Sequence, residues 1–268
     1  MGGPPLIKYI PNIEVFRPAV GRSRLRASFH KIPSIRHGTS FHKRIGNPSR
    51  REEEELPAAC ESENNPVVMT RLASRLGLSD SLAFEDVYSI DDTDLLGVVP
   101  RPCYGLILVF PINEAYESYR IKEDESLEDY HGYGEDEQVV WFKQTIGTGC
   151  GMIALLHCLA NGDCPSFIRP ESDLDRLLKQ VRPLGPIPRA NALCDCDALE
   201  EANEWAAVSG ESSAPLPNTP MDLHFVCFAK SKANCLWELD GRRRGPINRG
   251  DLQAKDDALS KRALELGV

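Results

Sequence analysis

Long hydrophobic runs are missing from this 268-residue chain. No stretch approaches the ~20 apolar residues needed to cross a bilayer, so no membrane partner is expected. The N-terminus also lacks the charged, apolar and small-residue succession of a secretory signal. Gly2 is followed by Gly3, Pro4, Pro5 and Leu6, with no Ser or Thr where myristoylation requires one. The nine cysteines are scattered and odd in number, which argues against a disulfide framework and predicts a reducing compartment, the cytoplasm with the nucleus as a second choice. A lone C-x-C, Cys194 and Cys196, has no second pair or neighbouring histidine, so neither a metal nor another cofactor is expected. Histidine is scarce as well. Of six, only His131, His157 and His224 lie beyond the N-terminal fifty-odd residues, and imidazole chemistry in the body must use one of them.

What is present is an uneven charge. The net charge of −9 hides a leader, residues 1–51, with eleven Lys and Arg against the single acid Glu14, and a remainder with 20 basic against 39 acidic residues. An acidic body disfavours nucleic acid and favours a basic partner. Residues 1–57, rich in Pro, Arg and Ser with no sustained apolar period, are expected to be a disordered basic extension, with residues 58–268 as the folded domain. A mitochondrial transit peptide is the weaker reading, because the leader has no clear amphipathic helix.

Order is predicted to begin at "NNPVVMTRLASRLGL". Asn65 can cap, Pro66 suits the first helical position, Met69, Leu72 and Leu76 share a face, and Gly77 can close the helix. "CYGLILVFPI" reads as a buried strand and "ESDLDRLLKQV" as an amphipathic helix through Leu174, Leu177, Leu178 and Val181. Residues 114–137 are acidic and polar and read as a mobile surface segment, while residues 206–220 read as a loop. "LHFVCF" and "CLWELD" form two strands about a polar turn, and "RRR" at 242–244 reads as a solvated turn. Helices and strands interleave without an internal repeat, so the fold class is α/β or α+β.

Chemistry concentrates in "QTIGTGCGMIALLHCLANG", residues 144–162. The helix starting near Cys150 would put the thiol at the positive end of its dipole beside unpaired backbone N–H groups, which favour thiolate. By itself such a cysteine reads more readily as a small buried hydrophobe. A partner base decides. His157 lies seven residues along the same helix, about 10 Å away, too far to reach the sulfur. His131 sits in the acidic segment, where a solvated histidine is expected. His224 remains, polar at the start of an apolar strand. A hairpin centred on Lys232 would place Asp240 directly opposite it, with Cβ atoms ~5 Å apart. Gln144, upstream of the cysteine, could donate to an oxyanion with the Cys150 N–H.

These segments resemble the ubiquitin carboxyl-terminal hydrolase family of cysteine peptidases. The active-site stretch around Cys150, the start at "ESENNPVVMTRLASRLGL", the strand region "VPRPCYGLILVFPI" and "HFVCF…LWELDGRRRGPINRG" match in order, from about Glu61 to Gly250. Papain-like peptidases share the chemistry but lack this spacing. The resemblance implies a papain-related fold with a central, mostly antiparallel sheet flanked by helices and a knotted chain path. It implies Gln144 as oxyanion donor, Cys150 as nucleophile, His224 as general base and acid, and Asp240 as imidazole orienter. The implied activity is a thiol-dependent deubiquitinase that cuts after the C-terminal glycine of ubiquitin and releases small adducts or unstructured peptides. Its partners would be ubiquitin and ubiquitin adducts, the protein acting as a monomer, with residues 206–220 in the place of the family's active-site crossover loop. The runners-up are a ubiquitin-binding module with impaired turnover and a general cysteine peptidase.

Two departures stand out. Thr148 and Gly149 precede the cysteine where the family commonly has Asn and a small residue. The family's closing strand has no counterpart after "ALSKRALELGV", which predicts a sheet short of one member, with an unpaired edge.

Overall fold

The computed structural model describes residues 12–18, 65–145, 149–209 and 223–267, the first stretch by its backbone alone. The strands are β1 (Asn12–Pro18), β2 (Leu82–Val87), β3 (Gly105–Pro111), β4 (Leu223–Lys230), β5 (Cys235–Leu239) and β6 (Ile247–Asp251). They form one sheet in the order β2-β1-β3-β4-β5-β6, with every adjacent pair antiparallel. The helices are α1 (Pro66–Leu76), α2 (Thr93–Gly97), α3 (Glu114–Asp124), α4 (Cys150–Ala160), α5 (Asp173–Val181), α6 (Pro186–Cys194), α7 (Asp197–Ser209) and α8 (Lys261–Gly267).

Local chemistry sets several boundaries as expected. Asn65 Oδ1 accepts from the N–H groups of Val67 and Val68, Pro66 opens α1, and Gly77, at φ 132°, closes it with its N–H on Ala73 and Ser74 carbonyls. Ser172 caps α5, whose Leu174, Leu177, Leu178 and Val181 are buried. The apolar residues of α1, α4, α5 and α7 join one face of the sheet in the main core, and Phe228, Leu236, Leu259 and Ala263 make a smaller core with Leu106 and Phe110. Every α4 residue from Gly151 to Ala160 is buried, which explains why its sequence is apolar all round.

Three expectations are corrected. Residues 114–137 are not uniformly a surface segment: Asn113 Oδ1 accepts from the Tyr116 N–H, Glu114 and Glu117 lie in the first turn, and α3 buries Tyr116 and Asp124. The disordered reading of residues 1–57 fails at Asn12–Pro18, because β1 lies between β2 and β3 and pairs with both. β1 thus adds a sixth strand to the sheet, and no strand follows α8 among the described residues. The loop expected over 206–220 begins inside α7, which continues to Ser209; its remaining residues lie outside those described.

The β4–β5 hairpin is shifted by two residues from the expected register, with Cys227 opposite Leu239 and Lys230 opposite Leu236. Asn234, at φ 58°, tightens the turn in the left-handed region that Asn tolerates. A two-residue shift keeps every side chain on its face, whereas a one-residue slip would reverse them.

Candidate active site

α4 begins directly at Cys150. Its cap, Gly149, is extended (φ −65°, ψ 147°) and offers no side-chain acceptor, so the first-turn N–H groups stay available to an incoming anion. The thiol is half-buried and lies 3.6 Å from the Leu223 carbonyl oxygen, one residue before His224 on β4. That carbonyl accepts from the neutral thiol, a contact that must break when thiolate forms.

His224 is 1% exposed and Asp240 fully buried, with His224 Nε2 3.0 Å from Asp240 Oδ2. Nε2 does not meet strict hydrogen-bond geometry at this distance, yet the imidazole is close enough to help lower the Asp240 pKa. The pair is not a ladder pair as the sequence arithmetic supposed. β5 ends at Leu239, and His224 instead stands opposite Phe110 on β3. The carboxylate meets the imidazole because Asp240 is the first residue beyond β5, on the diagonal that the two-residue shift leaves on the same face.

The carboxylate is heavily supported. Burial pushes its pKa up, but the neighbouring His224, the Arg242 N–H and the Arg243 guanidinium outweigh that and hold it at about 2. The Arg242 N–H donates to Oδ1 at 2.8 Å, and the Tyr116 hydroxyl donates to Oδ2 at 3.1 Å. Burial and the nearby Asp240 and Glu238 charges raise the Tyr116 pKa, so it remains a donor. Trp141 Nε1 donates to the Asp240 carbonyl at 3.0 Å. The Phe110 ring stands edge-on to the imidazole, centroids 5.7 Å apart.

Gln144 joins this turn through its backbone, its N–H donating to the Gly241 carbonyl at 2.8 Å. A Cβ on Gly241 would lie 2.9 Å from both Gln144 Cβ and Ile153 Cγ2, so only glycine lets the Asp240 turn, the Gln144 segment and α4 close on one another. Gln144 Oε1 is buried without a hydrogen-bond partner among the described residues. That orphaned amide end is a feature a substrate's donor would satisfy.

All four anticipated residues thus gather around the start of α4 and the ends of β4 and β5. His157 stays out of it, as expected: it is fully buried, and Nε2 accepts from the Phe142 N–H at 2.9 Å. His131 is exposed. Tyr116 and Arg243 were not anticipated. Arg243 is 2% exposed rather than solvated, with Nε and Nη1 donating to Glu238 and Asp124 at 2.9 Å each and Nη2 2.8 Å from Glu123. The available signal for Tyr116 was Asn113 followed by Glu114 and Glu117, a helix start that would have brought an aromatic onto an inward face.

A family model described as "Ubiquitin carboxyl-terminal hydrolase, family 1", a peptidase family, matches residues 60–266. The chain belongs to this family. Ubiquitin carboxyl-terminal hydrolase 3 of Arabidopsis thaliana is 36% identical over 190 residues, 70% of this chain and 77% of that one. The yeast hydrolase YUH1 (Saccharomyces cerevisiae) is 33% identical over 193 residues, again 70% and 77% of the two chains. Among solved structures, the catalytic domain of Trichinella spiralis UCH37 bound to ubiquitin vinyl methyl ester superposes with a TM-score of 0.53 at 19% identity, over 77% of this chain and 86% of that one. That likeness shows the ubiquitin hydrolase fold, and the sheet flanked by helices described above fits it.

Proposed function

We propose that this cysteine peptidase hydrolyses the bond after the C-terminal glycine of ubiquitin, with Cys150 as nucleophile, His224 as base and acid, Asp240 as orienter and Gln144 as oxyanion donor. The observation that carries this reading is the buried 3.0 Å approach of His224 to Asp240, one residue along β4 from the carbonyl that faces the Cys150 sulfur. His224 takes the thiol proton, and the sulfur attacks the glycine carbonyl. The Gln144 amide and the Cys150 N–H receive the oxyanion, one such donor being worth ~3 kcal/mol in the transition state. The imidazolium, steadied by Asp240, returns the proton to the leaving amine as the C–N bond breaks and leaves a thioester. Water activated by His224 then attacks the thioester and frees the glycine carboxylate and the thiol.

Family membership and the relatives, themselves ubiquitin carboxyl-terminal hydrolases by name, support ubiquitin as the substrate. The acidic body would speed encounter with a basic partner. A Gly-Gly tail suits a cleft that excludes side chains. We assign small adducts and unstructured peptides as leaving groups. We also assign a folded domain over 58–268, with β1 contributed from outside it, and a cytoplasmic monomer. No described helix is long and apolar enough to cross a membrane.

The test is hydrolysis of a ubiquitin C-terminal fluorogenic amide by wild type and Cys150→Ser. Release by wild type alone supports the assignment. Binding of ubiquitin without release by wild type would indicate a binding module, and equal cutting of unrelated peptides a general peptidase.

A further inference from the structure

Of the two outer strands of the sheet, β2 and β6, β6 is built as an edge, whereas the interior strand β3 is not. β6 carries Arg249 and Asp251, is only partly buried, and meets β5 with a register break at Leu236/Trp237. Charge and irregularity of this kind keep an edge from pairing with other chains. β3, GLILVFP, has no charged residue and pairs without interruption with β4 from Gly105–Ala229 to Pro111–Leu223. It carries none of these protections apart from its terminal Pro111, so its composition is that of a strand covered on both sides.

Its second cover is β1, which lies outside the 60–266 family match and is separated from α1 by residues 19–65. β1 aligns Asn12–Phe16 with Val109–Gly105 and Ile13–Pro18 with Val87–Leu82. It is also the only sheet neighbour of β2 among the described residues. Without it, β2 and β3 would face each other across about 9.6 Å, two interstrand spacings, too wide for hydrogen bonds. β2 would then lose its strand partner while keeping helix contacts such as the 2.8 Å bond from the Phe84 N–H to Thr70 Oγ1. A buried slot with main-chain donors and acceptors on both walls is a binding site for one extended peptide.

We propose that the gap between β2 and β3 is a strand-binding site, filled in cis by residues 12–18, which complete the sheet as a donor strand from outside the family domain. Recognition is through the main chain. It therefore tolerates side-chain change within β1 and rejects proline, which removes a ladder N–H from a strand paired on both sides. β1 ends at Pro18 and begins just after Pro11, so the flanking prolines limit the donor to its seven residues.

The experiment uses the full chain with a specific protease site introduced between residues 19 and 64. After cutting, the N-terminal fragment should co-elute with the remainder at the mass of one chain. A labelled synthetic peptide of residues 11–20 should exchange into the complex. In the uncut chain, Val15→Pro should lower Tm by about 10 °C, whereas Val15→Thr should cost less than about 3 °C. Separation of the fragment with Tm unchanged would overturn the proposal, as would a Val15→Pro chain as stable as wild type. Retention of the fragment only in a two-chain particle would overturn occupancy in cis. If Val15→Pro does not fold, fragment retention in the cut wild type still decides. None of these readouts depends on hydrolysis, so they stand or fall apart from the catalytic assignment.

Discussion

His157 and His224 are buried to almost the same degree, at 0% and 1% exposure, yet their surroundings are opposite. His157 sits on α4 with a backbone N–H on Nε2, and its Nδ1 makes only a poorly directed approach to the Leu239 carbonyl. Burial drives its pKa down to about 3, more than the distant Asp240 charge can offset. It is a neutral clamp that holds the Phe142 backbone two residues before Gln144. His224 has a carboxylate 3.0 Å from its ring, held ionised by a network of donors. Burial alone therefore does not define a histidine. What stands beside the ring, a backbone N–H for His157 and a carboxylate for His224, separates a structural histidine from a candidate catalytic one.

The largest effect should separate the two by activity. His224→Ala should cut kcat/KM by about 10⁴-fold, as should Cys150→Ser, and the double variant should lose little more, because the two act as one unit. Losses that multiply in the double variant would break the assignment. Asp240→Asn, which keeps the shape but removes the charge behind the ring, should cost up to about 10⁴-fold in kcat with KM nearly unchanged.

His157 should answer in stability instead. His157→Ala should lower stability by about 3 kcal/mol, through a cavity and an orphaned Phe142 N–H, and leave kcat within about threefold in the folded enzyme. Its titration gives a sharper test. The unfolded imidazole takes a proton below about pH 6.5, whereas the native one resists until about pH 3, so its contribution is complete above 6.5 and is lost as pH falls toward 3. His157→Gln should flatten the stability curve in that window by up to about 1.4 kcal/mol per pH unit, as followed by urea denaturation at several pH values. An unchanged slope would mean the native ring is charged.

The smallest effect should come from Tyr116→Phe, which removes one donor from Asp240 and should cost about 1 kcal/mol. The Asp240 contribution is present above about pH 4 and lost as pH falls toward 2. The variant should therefore begin to lose stability at a higher pH than wild type, measured by acid denaturation.

Much of this site was legible in the chain. The Gly-flanked cysteine before an apolar run, the glutamine upstream and the "ELDG" ending are local signals, and the caps of α1 and α5 are written in single residues. The hairpin arithmetic reached the right partner by the wrong register, because an even shift preserves the face. Arg243 and α3 were misread for one reason: acids and arginines look solvated until long-range packing brings Glu123, Asp124 and Glu238 around one guanidinium. β1 was illegible because nothing within seven residues between prolines announces that two distant strands await them; strand formation is decided by neighbours more than by intrinsic preference.

The missing side chain at Gly241 has a consequence for how the enzyme can change. One bend sets the place of both the carboxylate behind the imidazole and the amide ahead of the sulfur. An added methyl would be felt at both ends of the reaction centre, and no single compensating replacement could repair both, so this bend is where the catalytic apparatus has least room to drift.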